Sequence, residues 1–198
     1  MLEKGFPQTV KQLLLRPGDT IKTFIRSRRN GLTKPITFVF LASLIYTVID
    51  YFFPFQAKYM SHEGEVQNYM TAIARWITEN YGYSNLIMSI FIAAWIKIFF
   101  RKHSYTIFEI GVLLCYVMGM GMLFLGFFGF FEHTLNITLV VVGTLISFGY
   151  AVWAIGQFFR NKWSNYLKAA LAYFLGSLSF TITFIVIGIV LEIVFGGK

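Results

Sequence analysis

Three ionisable residues of this 198-residue chain, Asp50, Lys97 and Glu109, lie inside or at the edge of long apolar stretches. A charge in such surroundings is costly, and it is typically found where a proton or ion moves, or where two opposite charges pair inside a helical bundle. These three side chains are therefore the first candidates for chemistry, and the elements that carry them decide whether they can meet.

Their positions along the apolar stretches predict which of them can pair. Lys97 lies at the end of the second stretch and Glu109 at the start of the third, so the two share a level and could form an ion pair. Asp50 lies at the far end of the first stretch, about 15–20 Å from Lys97 in depth at ~1.5 Å per helical residue. Its remaining candidate partners are Arg75, Lys58 and His133.

Each of the three also has a purely structural alternative. Lys97 could extend its ammonium to lipid headgroups while its methylene groups stay in apolar surroundings. Glu109 could be a favourable charge in the first turn of a helix. Asp50 could form a structural or functional pair inside the bundle, or it could simply lie near the outer interface, since Pro54 is only one turn away.

Catalytic and metal-binding motifs are absent from the sequence. It has no His-Glu-x-x-His and no Gly-x-Ser-x-Gly, its three histidines are far apart, and its single cysteine, Cys115, lies in an apolar run. Cys115 is expected to be a small packing residue. We therefore expect no enzyme activity, no cofactor and no metal site.

The elements that position these residues are five apolar stretches. Hydrophobic residues make up 57% of the chain and charged residues 13%, about half the charged fraction of a soluble domain. The pattern predicts an all-α integral membrane protein: an amphipathic cytoplasmic arm at 1–35 and a five-helix transmembrane bundle at 36–198. The spans are predicted at about 36–55, 84–100, 105–125, 134–159 and 167–195. Gly126–Glu132 either extends the third span or lies along the outer interface.

Basic residues are concentrated in alternate connections. Fourteen of the seventeen Lys and Arg residues lie in the arm or around the second and fourth connections, and three lie on the other side. Basic loops stay cytoplasmic. The N-terminus is therefore predicted inside and the C-terminus outside. Because topology accounts for the net charge of +8, no nucleic-acid partner is expected.

The arm is predicted to form two amphipathic helices. Apolar residues recur at helical spacing, at Val10, Leu13, Leu14, Ile21, Phe24 and Ile25. Pro17 and Gly18 should break the first helix, and Asp19 is a plausible N-cap for the second. The opposite face of the second helix carries the candidate contacts for anionic lipids or a protein partner, which are Lys22, Arg26, Arg28 and Arg29. The alternative is simple anchoring of the arm. A short external helix is also predicted within 65–79.

Small residues four positions apart predict close helix contacts. They form one stripe on the third span and one on the fourth, namely Gly111, Cys115, Gly119 and Gly143, Ser147, Ala151. We expect these two spans to be neighbours, although the same stripes could mediate homo-oligomerisation.

Several segments resemble a bacterial membrane family of unknown function. They are Leu14–Ile21, Arg28–Pro35 leading to Phe38, Tyr105–Glu109 and Tyr150–Ser164. Many members carry an N-terminal Cys-x-x-Cys zinc ribbon, which this chain lacks, so the resemblance implies no zinc. The resemblance to this bacterial family implies a location in the bacterial inner membrane. The wider relatives resemble the Yip-type membrane proteins, which implies five spans and a cytoplasmic N-terminus.

Two functions remain open from the sequence. The first is a non-enzymatic scaffold or interaction protein that works through the basic arm. The second is a small transporter or channel for an ion or solute, with Asp50, Lys97 and Glu109 along a polar path. A solid core of small residues favours the first, and a wet cavity joining Asp50 to Glu109 favours the second.

Overall fold

A computed structural model describes residues 2–27, 31–56, 69–135, 137–160 and 162–195, and within these ranges the chain is helical with no strand. The helices are α1 (Leu2–Leu15), α2 (Pro17–Ser27), α3 (Pro35–Phe52), α4 (Tyr69–Glu79), α5 (Tyr81–Phe99), α6 (Ile107–Leu135), α7 (Val140–Phe158) and α8 (Trp163–Phe195).

Five of these helices, α3 and α5 to α8, are long and apolar enough to cross a membrane. The predicted five long apolar helices are thus found within the described residues, while several of their bounds differ. The second candidate span begins at Tyr81 rather than Ser84, and the fourth begins at Val140 rather than Thr134. Residues 126–132 do not break away, because α6 continues as one helix to Leu135.

The long helices surround α6. It packs against α3, α5 and α7, and α8 closes the bundle by packing against α5 and α7. Accordingly, α6 carries the largest share of buried residues among the five long helices. Two of its glycines bring it close to the end of the α3 region, since Gly126 lies against Ile49 and Gly129 against the ring of Phe55. The uninterrupted helix over 126–132 thus has a packing cause.

The outward faces of the bundle are apolar. Large hydrophobic side chains such as Phe108 (84% exposed), Ile193 (77%) and Ile90 (67%) point away from the protein. Exposing so much apolar surface to water is strongly unfavourable, whereas contact with lipid hydrocarbon is favourable.

The arm folds back onto one end of the bundle. Leu13 of α1 and Ile21 of α2 are completely buried, so the apolar face predicted for the arm packs largely against protein. A break between α1 and α2 occurs as predicted, but Asp19 is not the N-cap. Pro17 is the first residue of α2, where a proline is well tolerated because its missing N–H has no helical partner there. Asp19 therefore lies in the first turn.

Gly18 allows the arm to approach α7 closely. A methyl group at this position would lie 2.6 Å from the backbone of Gln157 and Phe158. The Gly18 N–H donates to Gln157 Oε1 at 2.7 Å, and Tyr150 Oη donates to Leu13 O at 3.2 Å. Glycine is therefore required sterically at position 18.

Linker 31–34 is also held against the bundle, because the hydroxyl of Tyr116 donates to Thr33 O at 2.7 Å.

Candidate functional site

Two loops meet the arm at the same end of the bundle. One joins α5 to α6 and the other follows α7. Their aromatic residues interlock: the rings of Phe100 and Phe159 stack with centroids 3.9 Å apart, and Tyr105 packs on Phe158 at 4.5 Å. Both Phe100 and Phe159 are almost completely buried. The loops are therefore fixed against each other by apolar contacts.

A polar cleft of about 680 Å³ opens between the two loops and α2. We call it the cationic cleft. Within the described residues it is lined by Asp19, Lys22, Arg26, Lys102, His103, Ser104, Tyr105, Glu109, Phe158 and Arg160. Cationic side chains enter it from the arm, from the α5–α6 loop and from the end of α7. The arm is thus one wall of a site that the bundle completes.

Lys22 is the most enclosed cation of the cleft. Its side chain is 21% exposed, and its ammonium donates to Gln157 O at 3.1 Å. Asp19 Oδ1 lies 3.9 Å from Lys22 Nζ, which is the one ion pair among the described residues. Burial lowers the pKa of Lys22, Asp19 opposes that shift, and Arg26 adds to it. Burial in the cleft therefore disfavours the charged form of Lys22.

His103 adds a neutral polar group. Its ring packs against Phe159 at 5.3 Å, and its Nδ1 is buried without a hydrogen-bond partner in the described part of the chain. Burial lowers the pKa of His103, Arg160 and Lys168 lower it further, and the backbone of Phe100 opposes them. The lowered pKa favours the neutral imidazole in the cleft.

Arg160 adopts a left-handed backbone conformation with φ of 77°. It follows Phe159, the C-cap residue of α7, at the position where glycine is usual. A non-glycine residue in this conformation costs on the order of 1 kcal/mol, and such strain tends to occur at functional positions. The left-handed conformation of Arg160 places its guanidinium at the rim of the cleft.

The predicted ion pair between Lys97 and Glu109 is not formed, and this expectation is wrong. Lys97 Nζ instead donates to Tyr105 O at 2.6 Å. Glu109 Oε2 accepts from the N–H and the hydroxyl of Thr106 at 2.7 and 3.0 Å, and its own N–H donates back to Thr106 Oγ1. This Thr-x-x-Glu arrangement is a capping box, which satisfies the start of α6. Glu109 thus follows its structural alternative.

Asp50 lies at the opposite end of the bundle, away from the cleft. Its Oδ1 accepts weakly from the Gln56 N–H at 3.4 Å. Of its predicted partners, Lys58 falls outside the described residues, His133 packs its ring on Phe53 at 5.7 Å, and Arg75 lines a separate cavity of about 360 Å³. Neither His133 nor Arg75 is within ion-pair distance of Asp50.

The two small-residue stripes have different neighbours. A methyl at Gly143 would lie 2.9 Å from Phe128, Ser147 Oγ donates to Gly121 O at 3.3 Å, and Ala151 is buried. This stripe therefore joins α7 to α6, as expected. The other stripe does not face α7, because Gly119 packs against the ring of Phe38 on α3.

The remaining members of that stripe border open space. No atom beyond the helix itself lies within 4 Å of a methyl placed on Gly111. With Cys115, Gly111 lines an apolar groove of about 860 Å³ beside the linker 31–34 and the first turn of α3. The small size of these residues thus leaves a groove rather than a helix contact.

Sequence reasoning missed two kinds of residue. Lys102 and Arg160 entered the sequence analysis only in the count of basic residues on each side of the membrane, and His103 only as one of three widely spaced histidines. Nothing in the sequence signals that these residues converge. Glu132 was predicted on the outer side of the membrane, but its burial was not foreseen: it is 3% exposed, and its Oε2 accepts from the N–H groups of Leu139 and Val140 at 2.7 and 2.6 Å. A weak signal did exist, since Leu139 precedes α7 and offers no side-chain oxygen to cap it.

Arg28 and Arg29, which were predicted to contact lipid or a partner together with Lys22 and Arg26, lie outside the described residues. Among the residues that the structure does describe, no group of three or more His, Cys, Asp or Glu side chains could hold a metal ion.

In the part of the chain that the structure describes, the fold and the cleft define a helical protein with five apolar helices of membrane-spanning length and a docked amphipathic arm. Residues 3–47 match the family described as "Protein of unknown function (DUF3667)". The matched part contains nearly all of α1, all of α2 and most of α3, and so includes the arm wall of the cleft. No curated protein and no solved structure matches the chain.

Proposed function

We propose that this protein is a multi-pass membrane protein that acts by binding, as a non-enzymatic scaffold or interaction protein. The observation that carries the proposal is the docking of the basic arm onto the bundle, which builds the cationic cleft from three separate parts of the chain. An arm that served only as an anchor would not need Gly18 against the α7 backbone. Binding is therefore assigned to the arm end.

We further propose that the arm end faces the cytoplasm of a bacterial cell and that the C-terminal end of α8 faces outward. Support comes from the convergence of the arm with the loops that contain Lys102 and Arg160, because basic surfaces stay inside. Five crossings then leave the two ends of the chain on opposite sides. A distant relationship to the Yip-type membrane proteins fits this topology, and it rests on the sequence resemblance alone.

Two classes of partner follow for the arm end. Anionic lipids of the inner leaflet are attracted by its cations. A protein partner or a second copy of the chain could use the same face. The transport alternative gains no support from the geometry, because Asp50 lies at the opposite end from Lys97 and Glu109. The cavity near Asp50 also shares no lining residue with the cationic cleft among the described residues.

A flux assay in proteoliposomes tests the proposal. We expect wild type, Asp50→Asn and Glu109→Gln to show the same ion and solute leak as vesicles without protein. Protein-dependent flux that either substitution abolishes would overturn the scaffold function and establish transport.

A cysteine-accessibility scan tests the orientation. Cys115→Ser removes the only native thiol, and single cysteines are then placed at Arg101 and at Glu192. An impermeant maleimide applied to intact cells should label position 192 and spare position 101. The reverse pattern would overturn the proposed topology.

A further inference from the structure

The cationic cleft contains more positive charge than its own carboxylates neutralise. Lys22, Arg26, Lys102 and Arg160 line it, against Asp19 and Glu109. Glu109 is engaged by the capping box of α6, and Asp19 approaches Lys22 only to 3.9 Å. In the described part of the chain, Arg26, Lys102 and Arg160 form no ion pair at all. The cleft is therefore complementary to an anion.

The groups that line the cleft suit a phosphate in particular. A guanidinium presents paired N–H donors that match two phosphate oxygens, and an ammonium adds a compact charge. Two guanidinium and two ammonium groups converge here from three elements. Ser104 adds a hydroxyl, and the buried Nδ1 of His103 lacks a partner. This set of donors is therefore suited to bind a phosphate group.

The position of the cleft allows two sources of phosphate. It lies at the ends of three long apolar helices, α5, α6 and α7, where lipid headgroups would surround the protein. Its volume of about 680 Å³ exceeds that of a bare phosphate and leaves room for a headgroup or a small phosphomonoester. Phe158 and Tyr105 contribute an apolar wall on the bundle side.

We propose that the cationic cleft is a binding site for a phosphate monoester, held by Arg26, Lys102 and Arg160 with Lys22 behind them. This inference deepens the proposed binding function by naming the class of ligand. The ligand either is the headgroup of a phosphatidic-acid-type lipid or is free in solution. A phosphodiester that carries a choline cation fits less well, because its positive charge would face the cationic wall.

Binding measurements on the full chain in nanodiscs of neutral lipid test this site. The probes are inorganic phosphate, dioctanoyl phosphatidic acid and dioctanoyl phosphatidylcholine, with affinity read by calorimetry. We expect phosphatidic acid to bind at least about tenfold more tightly than phosphatidylcholine, since one strong charge-assisted contact is worth about a factor of ten. Phosphate should compete with phosphatidic acid if both occupy the cleft. A phosphate affinity close to that of phosphatidic acid would indicate a free ligand as the natural source, and a much weaker one would indicate the lipid.

Two variants and two matched controls locate the site. Lys102→Gln and Arg160→Gly should each weaken phosphatidic acid binding by about tenfold. Arg160→Gly also relieves the left-handed backbone, so its melting temperature should not fall, and Lys102 is an exposed loop residue whose replacement leaves the fold intact. Arg101→Gln and Lys162→Gln remove neighbouring exposed charges that do not line the cleft, and they should change the affinity by less than about twofold.

Equal loss in all four variants would show diffuse attraction and would overturn the site. An absence of binding to every probe would overturn it as well. Neither result touches the flux assay, whose outcome decides the scaffold function separately.

Discussion

The two ends of the bundle use charge in opposite ways. At the end away from the arm, which we call the far end, carboxylates accept hydrogen bonds from backbone N–H groups. Glu132 accepts from the start of α7, and Glu192 Oε2 accepts from the Tyr69 N–H at the start of α4 at 3.0 Å. At the arm end, cations such as Arg26 and Arg160 converge without a carboxylate partner among the described residues. Charge that completes helix ends is structural, and charge that remains uncompensated is available to a ligand.

The largest effect is expected at the far end. Glu132→Ala leaves the N–H groups of Leu139 and Val140 without their acceptor in a buried site, and each charge-assisted bond of this kind contributes about 1.5–3 kcal/mol. We expect the free energy of unfolding in detergent to fall by about 3 kcal/mol. Glu132→Gln keeps one acceptor oxygen and should lose about half as much. A cost below that of the exposed Glu192→Ala would contradict the structural role.

Gly18 provides the corresponding test at the arm end. Gly18→Ala places a methyl 2.6 Å from the α7 backbone, and overpacking of this kind costs about 1–3 kcal/mol. We expect the arm to detach before the bundle unfolds, which hydrogen exchange would show as faster exchange around Leu13 and Ile21. Gly149→Ala is the control, because position 149 on α7 has free space and should tolerate the change. Unchanged protection of the arm would contradict the close docking.

A double-mutant cycle sharpens the boundary between the two uses of charge. Glu109→Gln weakens the capping box and should cost about 1 kcal/mol. Lys97→Met removes the contact to Tyr105 O and should cost less. Because the two side chains have separate partners, we expect their effects on unfolding to add within about 0.5 kcal/mol. A larger coupling energy would indicate that Lys97 and Glu109 form the ion pair predicted from the sequence.

The smallest effect concerns the pH dependence at His103. Burial lowers its pKa below 6.5, so between the two values the unfolded chain binds more protons than the folded one. Stability should therefore be complete above pH 6.5 and should decline as the pH falls through that window. NMR titration of the imidazole checks the pKa. Comparing melting curves of wild type with those of His103→Gln isolates the slope, and a wild-type curve as flat as that of the variant would contradict it.

Element identity was largely predictable because it depends on local composition. Long apolar runs predict helices, and all five runs are helical near the expected bounds. The amphipathic arm and its break just before Pro17 were also predictable. The predicted N-cap, Asp19, lies three residues after the actual N-cap position at residue 16, because Pro17 begins α2. The end of α6 was left open because the contact of Gly129 with Phe55 cannot be inferred from either segment alone.

The candidate site was only partly predictable for the same reason. Lys22 and Arg26 stood out on one helix face, but their counterparts Lys102 and Arg160 are separated from them by about 80 and 135 residues. Depth along a helix correctly placed Asp50 away from Lys97. Depth could not say that Lys97 and Glu109 each satisfy a nearer backbone or hydroxyl group, because rotation about the helix axis is set by packing.

By itself, the sequence determined a helical chain with five apolar runs, a basic arm and a strong charge asymmetry, since hydropathy and charge are properties of composition and order. Only the tertiary structure decided that the arm docks on α7 through Gly18 and Gln157, that Glu132 caps a helix beyond its own, and that four cations from three elements share one cleft. These features depend on contacts between distant parts of the chain, and such contacts are fixed by side-chain packing.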